Sequence, residues 1–245
     1  MILHQYRWVR YRRTNKIIWV NKEGFNNTTL RQDILYESHQ ITNINQYTYY
    51  ILEIRRYIMK GQWCYFSSYF SSQFCDSVIT AASKLESTSA HMGVYGSDSD
   101  IQYRRSDVSW MYPEAFPELY SALWKMMEEA NDEWFGFDVD GLEHVQFAQY
   151  TEMNRGVYKK HQDVFWVNNS PKHRKLTAVV QLTDHEYYGG CDLSLHECNQ
   201  VPDPQEIRKQ GTVIFLPSWL YHSVSPIQWG NRFSAVAWFE GPNWK

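Results

Sequence analysis

The spacing of apolar residues predicts two amphipathic helices in the first half of the chain. In residues 71–85 apolar side chains recur every three or four positions, which places them on one helical face, and Ser71 is a suitable N-cap. Residues 115–134 repeat this pattern with Leu119 and Leu123 among the apolar positions. Both segments are therefore predicted to be helices that each bury one face.

After residue 134 the pattern changes to short runs that are typical of strands. The runs are rich in β-branched and aromatic residues and are separated by Gly, Pro, Asn and Asp. They are residues 145–150, 176–182, 191–195, 212–216 and 233–239. Helices followed by many short strands predict an α+β domain, in which N-terminal helices support a double-stranded β-helix, or jelly-roll, core.

The first 58 residues differ from the remainder. They are rich in Asn, Tyr, Arg and Thr and show no sustained periodicity. We interpret 1–58 as an N-terminal appendage, either poorly ordered or an extension from an early start codon, and 59–245 as the compact domain. An ordinary N-terminal subdomain is the alternative that the sequence leaves open.

Composition and charge narrow the classes of partner. The 245 residues are 43% hydrophobic and 21% charged, as expected of a globular protein. Positive charge is concentrated in residues 1–60, whereas 61–245 is net negative, so nucleic acid is not the expected partner. The four cysteines form no CxxC pair, and neither a membrane span nor a signal peptide is evident. The expectation is a soluble cytoplasmic protein with reduced thiols and no membrane partner.

His161, Asp163 and His222 are the candidate metal ligands. In an extended chain, residues i and i+2 face the same side, so His161 and Asp163 would converge. Two histidines and one carboxylate hold non-haem iron(II) while leaving coordination positions open. The pair is the only His-x-Asp or His-x-Glu in the sequence. Taken alone it also fits a surface histidine near a turn aspartate.

Arg232 and Ser234 add a second signal. They share one face of an apolar strand, opposite Phe233 and Ala235. An arginine that points into a core unpaired is costly, whereas a guanidinium beside a hydroxyl fits a carboxylate in bidentate fashion. The alternative is an edge-strand arginine that extends to water.

Two sequence blocks resemble the iron(II)/2-oxoglutarate-dependent dioxygenases of the prolyl 4-hydroxylase-like group. In the first block Tyr150, Gly156 and Tyr158 precede His161-Gln-Asp163. The second block, residues 211–234, runs from a glycine through a strand to His222 and then to Arg-Phe-Ser. The Tyr-Gly-Gly turn at 188–190 is also similar to that group. The resemblance covers most of 61–245.

The resemblance implies roles for ten residues and no catalytic side chain beyond the metal centre. Iron would be held by His161, Asp163 and His222; 2-oxoglutarate by Arg232, Ser234, Tyr150, Thr177 and Gln181; and substrate by Tyr158 and Arg105. Dioxygen is the co-substrate, succinate and carbon dioxide are the co-products, and ascorbate is expected as reductant. The group's arginine form occurs in bacterial or viral relatives, so action in a host cytoplasm is one expectation. Gly156 lies one position nearer His161 than is usual in the group.

The substrate is less constrained. The aromatic-rich segment 102–113 is a candidate substrate lip, where Arg104 or Arg105 would bind carbonyl groups of an extended peptide; an ordinary strand with solvated charges is the alternative. Our leading hypothesis is a hydroxylase of peptidyl proline or a similar protein side chain. The alternatives are a hydroxylase of a free amino acid or small metabolite, and a non-catalytic β-helix binding module.

Overall fold

The computed structural model describes residues 6–11, 16–21, 34–35, 61–90, 103–167 and 170–244. Contacts divide the chain into two units, Met1–Ile58 and Met59–Lys245. In the first unit three strands form an antiparallel sheet in the order β2-β1-β3: β1 (Tyr6–Tyr11), β2 (Lys16–Asn21) and β3 (Ile34–Leu35). The interpretation of 1–58 as an appendage stays a prediction. Among the residues described, no helix has the length and apolar character that a membrane crossing requires.

The second unit contains short helices and many strands. The α-helices are α1 (Ser72–Ala82), α2 (Pro117–Ala130) and α3 (Pro204–Ile207), with a π-helical turn at Asn131–Phe135 and a 3-10 turn at His185–Tyr187. The strands are β4 (Cys64–Phe66), β5 (Thr88–Ser89), β6 (Arg104–Arg105), β7 (Asp107–Met111), β8 (Gly141–Leu142), β9 (Val145–Thr151), β10 (Val157–His161), β11 (Lys172–Gln181), β12 (Tyr188–Gly190), β13 (Leu193–Leu195), β14 (Val213–Pro217), β15 (His222–Val224) and β16 (Ile227–Pro242).

Two antiparallel sheets form the body of this unit. The large sheet has the order β4-β14-β11-β16-β9-β7-β5, and β8 and β12 also pair with β16. The small sheet has the order β13-β15-β10-β6. Because β16 pairs with β11 along residues 234–242 and with β9 along residues 231–236, it lies at the centre of the large sheet.

The large sheet buries both of its faces. On β16, Ala235, Ala237 and Phe239 belong to one core cluster, which also contains the apolar faces of α1 and α2. Alternate residues Arg232 and Trp238 line a cavity on the opposite side. A second core cluster joins this opposite face to the small sheet. The period-two alternation of β16 therefore separates a helix-packed core from a cavity between the sheets.

The predicted helices are present, with shifted ends. Ser71 caps α1, since its Oγ accepts a hydrogen bond from the backbone N–H of Phe74 at 3.2 Å. The second helix begins at Pro117, whose fixed φ suits a first helical position. Residues 131–134, predicted as helix, lie in the π-helical turn that ends at Gly136, where φ is 68°.

The strand predictions are also borne out, with one correction. Each of the five predicted runs contains a strand, but the run 191–195 is extended only from Leu193. Gly190 and Cys191 have φ of 68° and 56°, in the left-handed region, so the chain turns there instead of continuing a strand. The two strands that carry the histidines, β10 and β15, were not among the predicted runs.

Candidate metal centre and cosubstrate cavity

The small sheet places the two candidate histidines side by side. His161 is the last residue of β10 and His222 the first of β15, and the antiparallel register pairs them directly. Asp163 follows β10 by two residues, and its backbone N–H donates to the carbonyl of Ser218 at 2.8 Å. One ligand atom from each of the three residues lies within 4.8 Å of the others, and all three residues are buried.

Backbone carbonyls orient both imidazoles. Nδ1 of His161 donates to the carbonyl of Lys159 at 2.8 Å, and Nδ1 of His222 donates to that of Leu220 at 2.9 Å. A carbonyl only accepts, so the proton is on Nδ1 and the lone pair of Nε2 is free for a metal. These Nε2 atoms lie 3.7 Å and 3.4 Å from the carboxylate oxygens of Asp163.

The electrostatics of the three residues suit a cation. Burial alone would raise the pKa of Asp163, but His222 and His161 outweigh it and hold the pKa well below its usual range. Burial, followed by the neighbouring His222, lowers the pKa of His161 to about 4. Burial would also lower the pKa of His222, yet the Asp163 carboxylate raises it. A metal ion at Nε2 would take the place of the proton that this carboxylate attracts.

A hydroxyl pair holds the carboxylate of Asp163. Oγ of Thr177 donates to Oδ2 of Asp163 at 2.8 Å, and it lies 3.1 Å from Oγ of Ser218. Because the Thr177 proton is given to the carboxylate, Ser218 is the donor in the second contact. Thr177 and Ser218 are fully buried, so this chain fixes the direction of the carboxylate.

Arg232 lies in the same cavity as the three candidate ligands. It is only 1% exposed, and its Nε and Nη2 donate to Oε1 of Gln181 at 3.1 Å and 2.8 Å. Its Nη1 is buried without a hydrogen-bond partner of good geometry, and the side chains of Tyr188 and Cys191 lie beside the guanidinium. Unsatisfied buried donors are costly, so this end of the cavity fits the carboxylate of a bound molecule.

Tyr150 and Gly156 explain part of the spacing in the first sequence block. Tyr150 lines the cavity directly opposite Arg232 in the β9–β16 ladder. A Cβ added to Gly156 would lie 2.7 Å from Cβ of Tyr150, closer than real Cβ atoms approach. Glycine at 156 thus lets the chain pass behind the tyrosine before it enters β10.

Tyr158 forms a stack beside the candidate ligands. Its ring lies parallel to that of His161, with 3.5 Å between centroids. The guanidinium of Arg104 lies 4.4 Å from the centroid of the Tyr158 ring. Both Tyr158 and Arg104 line the cavity.

The structure gathers most of the predicted site residues around one cavity. Seven of them line it: His161, Asp163, His222, Arg232, Ser234, Tyr150 and Tyr158. Thr177 and Gln181 are not among the lining residues. Each forms a hydrogen bond to a residue that lines the cavity, Thr177 to Asp163 and Gln181 to Arg232. Arg105 also lies outside the lining and donates from Nε to the carbonyl of Arg155 at 2.9 Å.

Several lining or supporting residues were missed from the sequence. Of the two arginines considered for the substrate lip, Arg104 lines the cavity and Arg105 does not, because neighbours in a strand face opposite sides. Gln146 and Trp238 are in phase with Tyr150 and Arg232 on their strands, so the alternation carried a signal for both. Tyr188 reaches the site from a remote turn and gave no such signal.

Two facing sheets enclose a buried His-Asp-His cluster that suits iron(II) and, in the same cavity, an arginine that suits a carboxylate. Residues 145–240 match the family model of the 2OG-Fe(II) oxygenase superfamily. The matched segment contains the three candidate metal ligands and Arg232. A search of curated proteins finds no match.

Solved prolyl hydroxylases share the fold. A Pseudomonas putida prolyl-4-hydroxylase aligns with TM-score 0.57 at 17% identity, over 75% of this chain and 94% of that one. A viral collagen prolyl hydroxylase from Paramecium Bursaria Chlorella virus-1 aligns with TM-score 0.55 at 22% identity, over 74% of this chain and 96% of that one. A Trichoplax adhaerens prolyl hydroxylase, in complex with a hypoxia inducible factor peptide fragment, aligns with TM-score 0.58 at 18% identity, over 81% of this chain and 93% of that one. The predicted jelly-roll fold is confirmed.

Proposed function

We propose that this protein is an iron(II)- and 2-oxoglutarate-dependent dioxygenase that hydroxylates a C–H bond of a peptidyl proline or similar protein side chain, with succinate and carbon dioxide as co-products. The observation that carries the proposal is the joint cavity, in which the His161–Asp163–His222 cluster and the unsatisfied Nη1 of Arg232 face one space. Solved prolyl hydroxylases with this fold, one of them in complex with a peptide, support the choice of substrate.

The three clustered side chains are the proposed iron(II) ligands. Two imidazole nitrogens and one carboxylate leave positions open on the metal for other molecules. When bound, iron(II) and 2-oxoglutarate supply the oxidising chemistry, in which dioxygen converts 2-oxoglutarate to succinate and carbon dioxide and a substrate C–H bond to an alcohol. No further side chain is assigned as an acid or base.

The remaining residues are proposed to bind and orient. Arg232, with Ser234 on the same strand face, binds the distal carboxylate of 2-oxoglutarate, and Tyr150 forms the opposite wall. Gln181 orients the guanidinium of Arg232 through two hydrogen bonds. Thr177 holds the metal-binding carboxylate in place. Burial of these groups excludes water, which strengthens the charge-assisted bonds.

The test measures iron(II) binding and succinate formation from 2-oxoglutarate, with and without proline-containing peptides. His161→Ala is expected to lose both, because a ligand is removed. Arg232→Ala is expected to keep iron and to require far more 2-oxoglutarate. His196→Ala is the matched control, since its ring bonds Ser223 at 2.8 Å and lies outside the cavity lining. Wild-type protein that neither binds iron nor forms succinate would overturn the proposal.

The same assay examines the other substrate and reductant hypotheses. Turnover stimulated by free amino acids but not by peptides would assign a small-molecule hydroxylase. Loss of activity over successive turnovers, restored by ascorbate, would support ascorbate as the reductant. Iron and ligand binding without any succinate formation would favour a binding module.

A further inference from the structure

Three guanidinium groups surround the cavity or its walls, and they differ in their partners. Arg174 lies 3.9 Å from the Trp238 ring and is paired with Glu143 through two bonds of 2.7 Å and 2.6 Å. Arg232 has a neutral partner and an unsatisfied Nη1, which suits the distal carboxylate of 2-oxoglutarate. Arg104 has no carboxylate partner among the described residues.

The contacts of Arg104 are all with neutral groups. It is 9% exposed; its Nε donates to Oγ of Ser106 at 2.9 Å, and its Nη2 donates to Oε1 of Gln146 at 2.8 Å. Its guanidinium also faces the Tyr158 ring. Within the part of the chain that the structure describes, nothing accepts a hydrogen bond from its Nη1. Amide, hydroxyl and ring contacts orient this cation without neutralising it.

Among the described residues, charge balance in the occupied site leaves Arg104 uncompensated. The charges of iron(II) and Arg232 would be cancelled by Asp163 and the two carboxylates of 2-oxoglutarate. One positive charge then remains on Arg104, in a cavity of which half the lining residues are apolar or aromatic. A buried charge without a counter-ion is costly, and a bound anion would remove that cost.

A second unsatisfied donor lies on the same cavity. The indole N–H of Trp238 is buried without a partner, and Trp238 lines the cavity together with Arg104. Both groups are donors, so together they favour a molecule that brings acceptor oxygens. This observation is independent of the charge on Arg104.

We propose that Arg104 is a specificity-determining residue that binds a carboxylate of the substrate, so that the preferred substrate carries a carboxylate near the carbon that is hydroxylated. The inference rests on the proposed function. The carboxylate has three possible sources: a free amino acid, a peptide C-terminus, or an Asp or Glu side chain next to the target residue. All three present the same two oxygens to the guanidinium.

The test measures binding to the iron(II)- and 2-oxoglutarate-loaded protein without oxygen, by titration calorimetry, so that no turnover is needed. Three matched pairs of probes separate the sources. They are L-proline and L-prolinamide, N-acetyl-Ala-Pro and its C-terminal amide, and N-acetyl-Ala-Pro-Asp-amide and its Asn counterpart. At least one carboxylate probe is expected to bind about tenfold or more tightly than its neutral partner, as charge-assisted hydrogen bonds imply.

Variants assign that preference to Arg104. Arg104→Gln is expected to abolish it, and Arg104→Lys to retain part of it, because a lysine keeps the charge without the planar fork. Arg155→Gln is the matched control and should keep the full preference, since the Arg155 side chain is exposed and lies outside the cavity lining. A merely structural role for Arg104 would lower stability without changing the ratio within a pair.

The outcomes separate this inference from the proposed function. Wild-type protein that forms succinate from 2-oxoglutarate but binds both members of every pair equally would overturn the inference alone. An Arg104→Gln variant that binds iron and keeps the wild-type preference would also overturn it. If Arg104→Gln does not fold, the ratios of affinity within each probe pair, measured for wild type and for Arg104→Lys, still test the inference. A preference in wild type that Arg104→Lys loses completely counts against a charge-based contact.

Discussion

Replacing Arg232 by methionine should separate cosubstrate binding from folding and from metal binding. Methionine removes the buried charge but leaves Oε1 of Gln181 without its donors, which costs about 1–3 kcal/mol and is offset by the lost desolvation of the guanidinium. The free energy of unfolding without ligand should therefore change little. Because Arg232 is not a proposed ligand, iron(II) affinity should stay close to wild type.

The loss of 2-oxoglutarate affinity should be large. The partnerless Nη1 and the second hydrogen of Nη2 can give two charge-assisted bonds to the distal carboxylate. At about 1.5 kcal/mol each, the lower end for such bonds, their loss raises Kd roughly a hundredfold.

Thermal unfolding of the iron(II)-loaded protein, without oxygen, measures this loss. At a 2-oxoglutarate concentration one hundred times the wild-type Kd, binding stabilises wild type by about 2.7 kcal/mol but the variant by about 0.4 kcal/mol. For a domain of this size the corresponding rises in Tm are about 5–10 °C and about 1 °C. Arg232→Lys keeps the charge and should fall between them. An Arg232→Met protein with the full wild-type rise would refute the assignment of Arg232.

Three further predictions concern residues around the site and the core. Thr177→Val keeps the side-chain shape but removes the proton donated to Asp163, so iron(II) affinity should fall about 10–100-fold in a metal titration. Gly156→Ala would press a methyl group against Tyr150 and should lower the free energy of unfolding by about 1–3 kcal/mol in urea denaturation. Burial raises the pKa of the Cys64 and Cys75 thiols to about 12 and that of the Cys191 thiol to about 11. Iodoacetamide at pH 8 should therefore modify the more accessible Cys198 first, and mass spectrometry measures the order of modification.

Each of these predictions has its own control. Thr177→Ser retains a hydroxyl and should keep most of the iron affinity; equal losses in the serine and valine variants would point to packing instead. For Gly156→Ala, an unchanged urea midpoint would mean that residue 156 and Tyr150 move apart at no cost in stability. In the thiol experiment urea should expose all four cysteines, and native modification of Cys75 at the rate of Cys198 would contradict its burial.

Local patterns were sufficient for those parts of the site that lie on one strand. The alternation of β16 correctly put Arg232 and Ser234 on one face, because consecutive side chains in a strand point in opposite directions. The same rule could not choose between Arg104 and Arg105, since it says that they face opposite sides and not which side meets the cavity. That choice depends on the pairing of β6 with β10.

Supporting contacts between remote segments were the least predictable part. Gln181 and Thr177 were expected to touch the cosubstrate directly, and the structure places them behind Arg232 and Asp163 instead. Tyr188 was missed as a donor near the arginine. Such contacts join residues far apart in sequence, so no local period contains them.

The sequence by itself determined the residue types of the candidate site and which residues of a strand share a face, because two short blocks carry the candidate ligands and the arginine in order. The tertiary structure alone decided that His161 pairs directly with His222 and that Arg104 enters the cavity. The reason is physical: side-chain direction follows from local backbone geometry, whereas distance between segments follows from strand order and register across the whole domain.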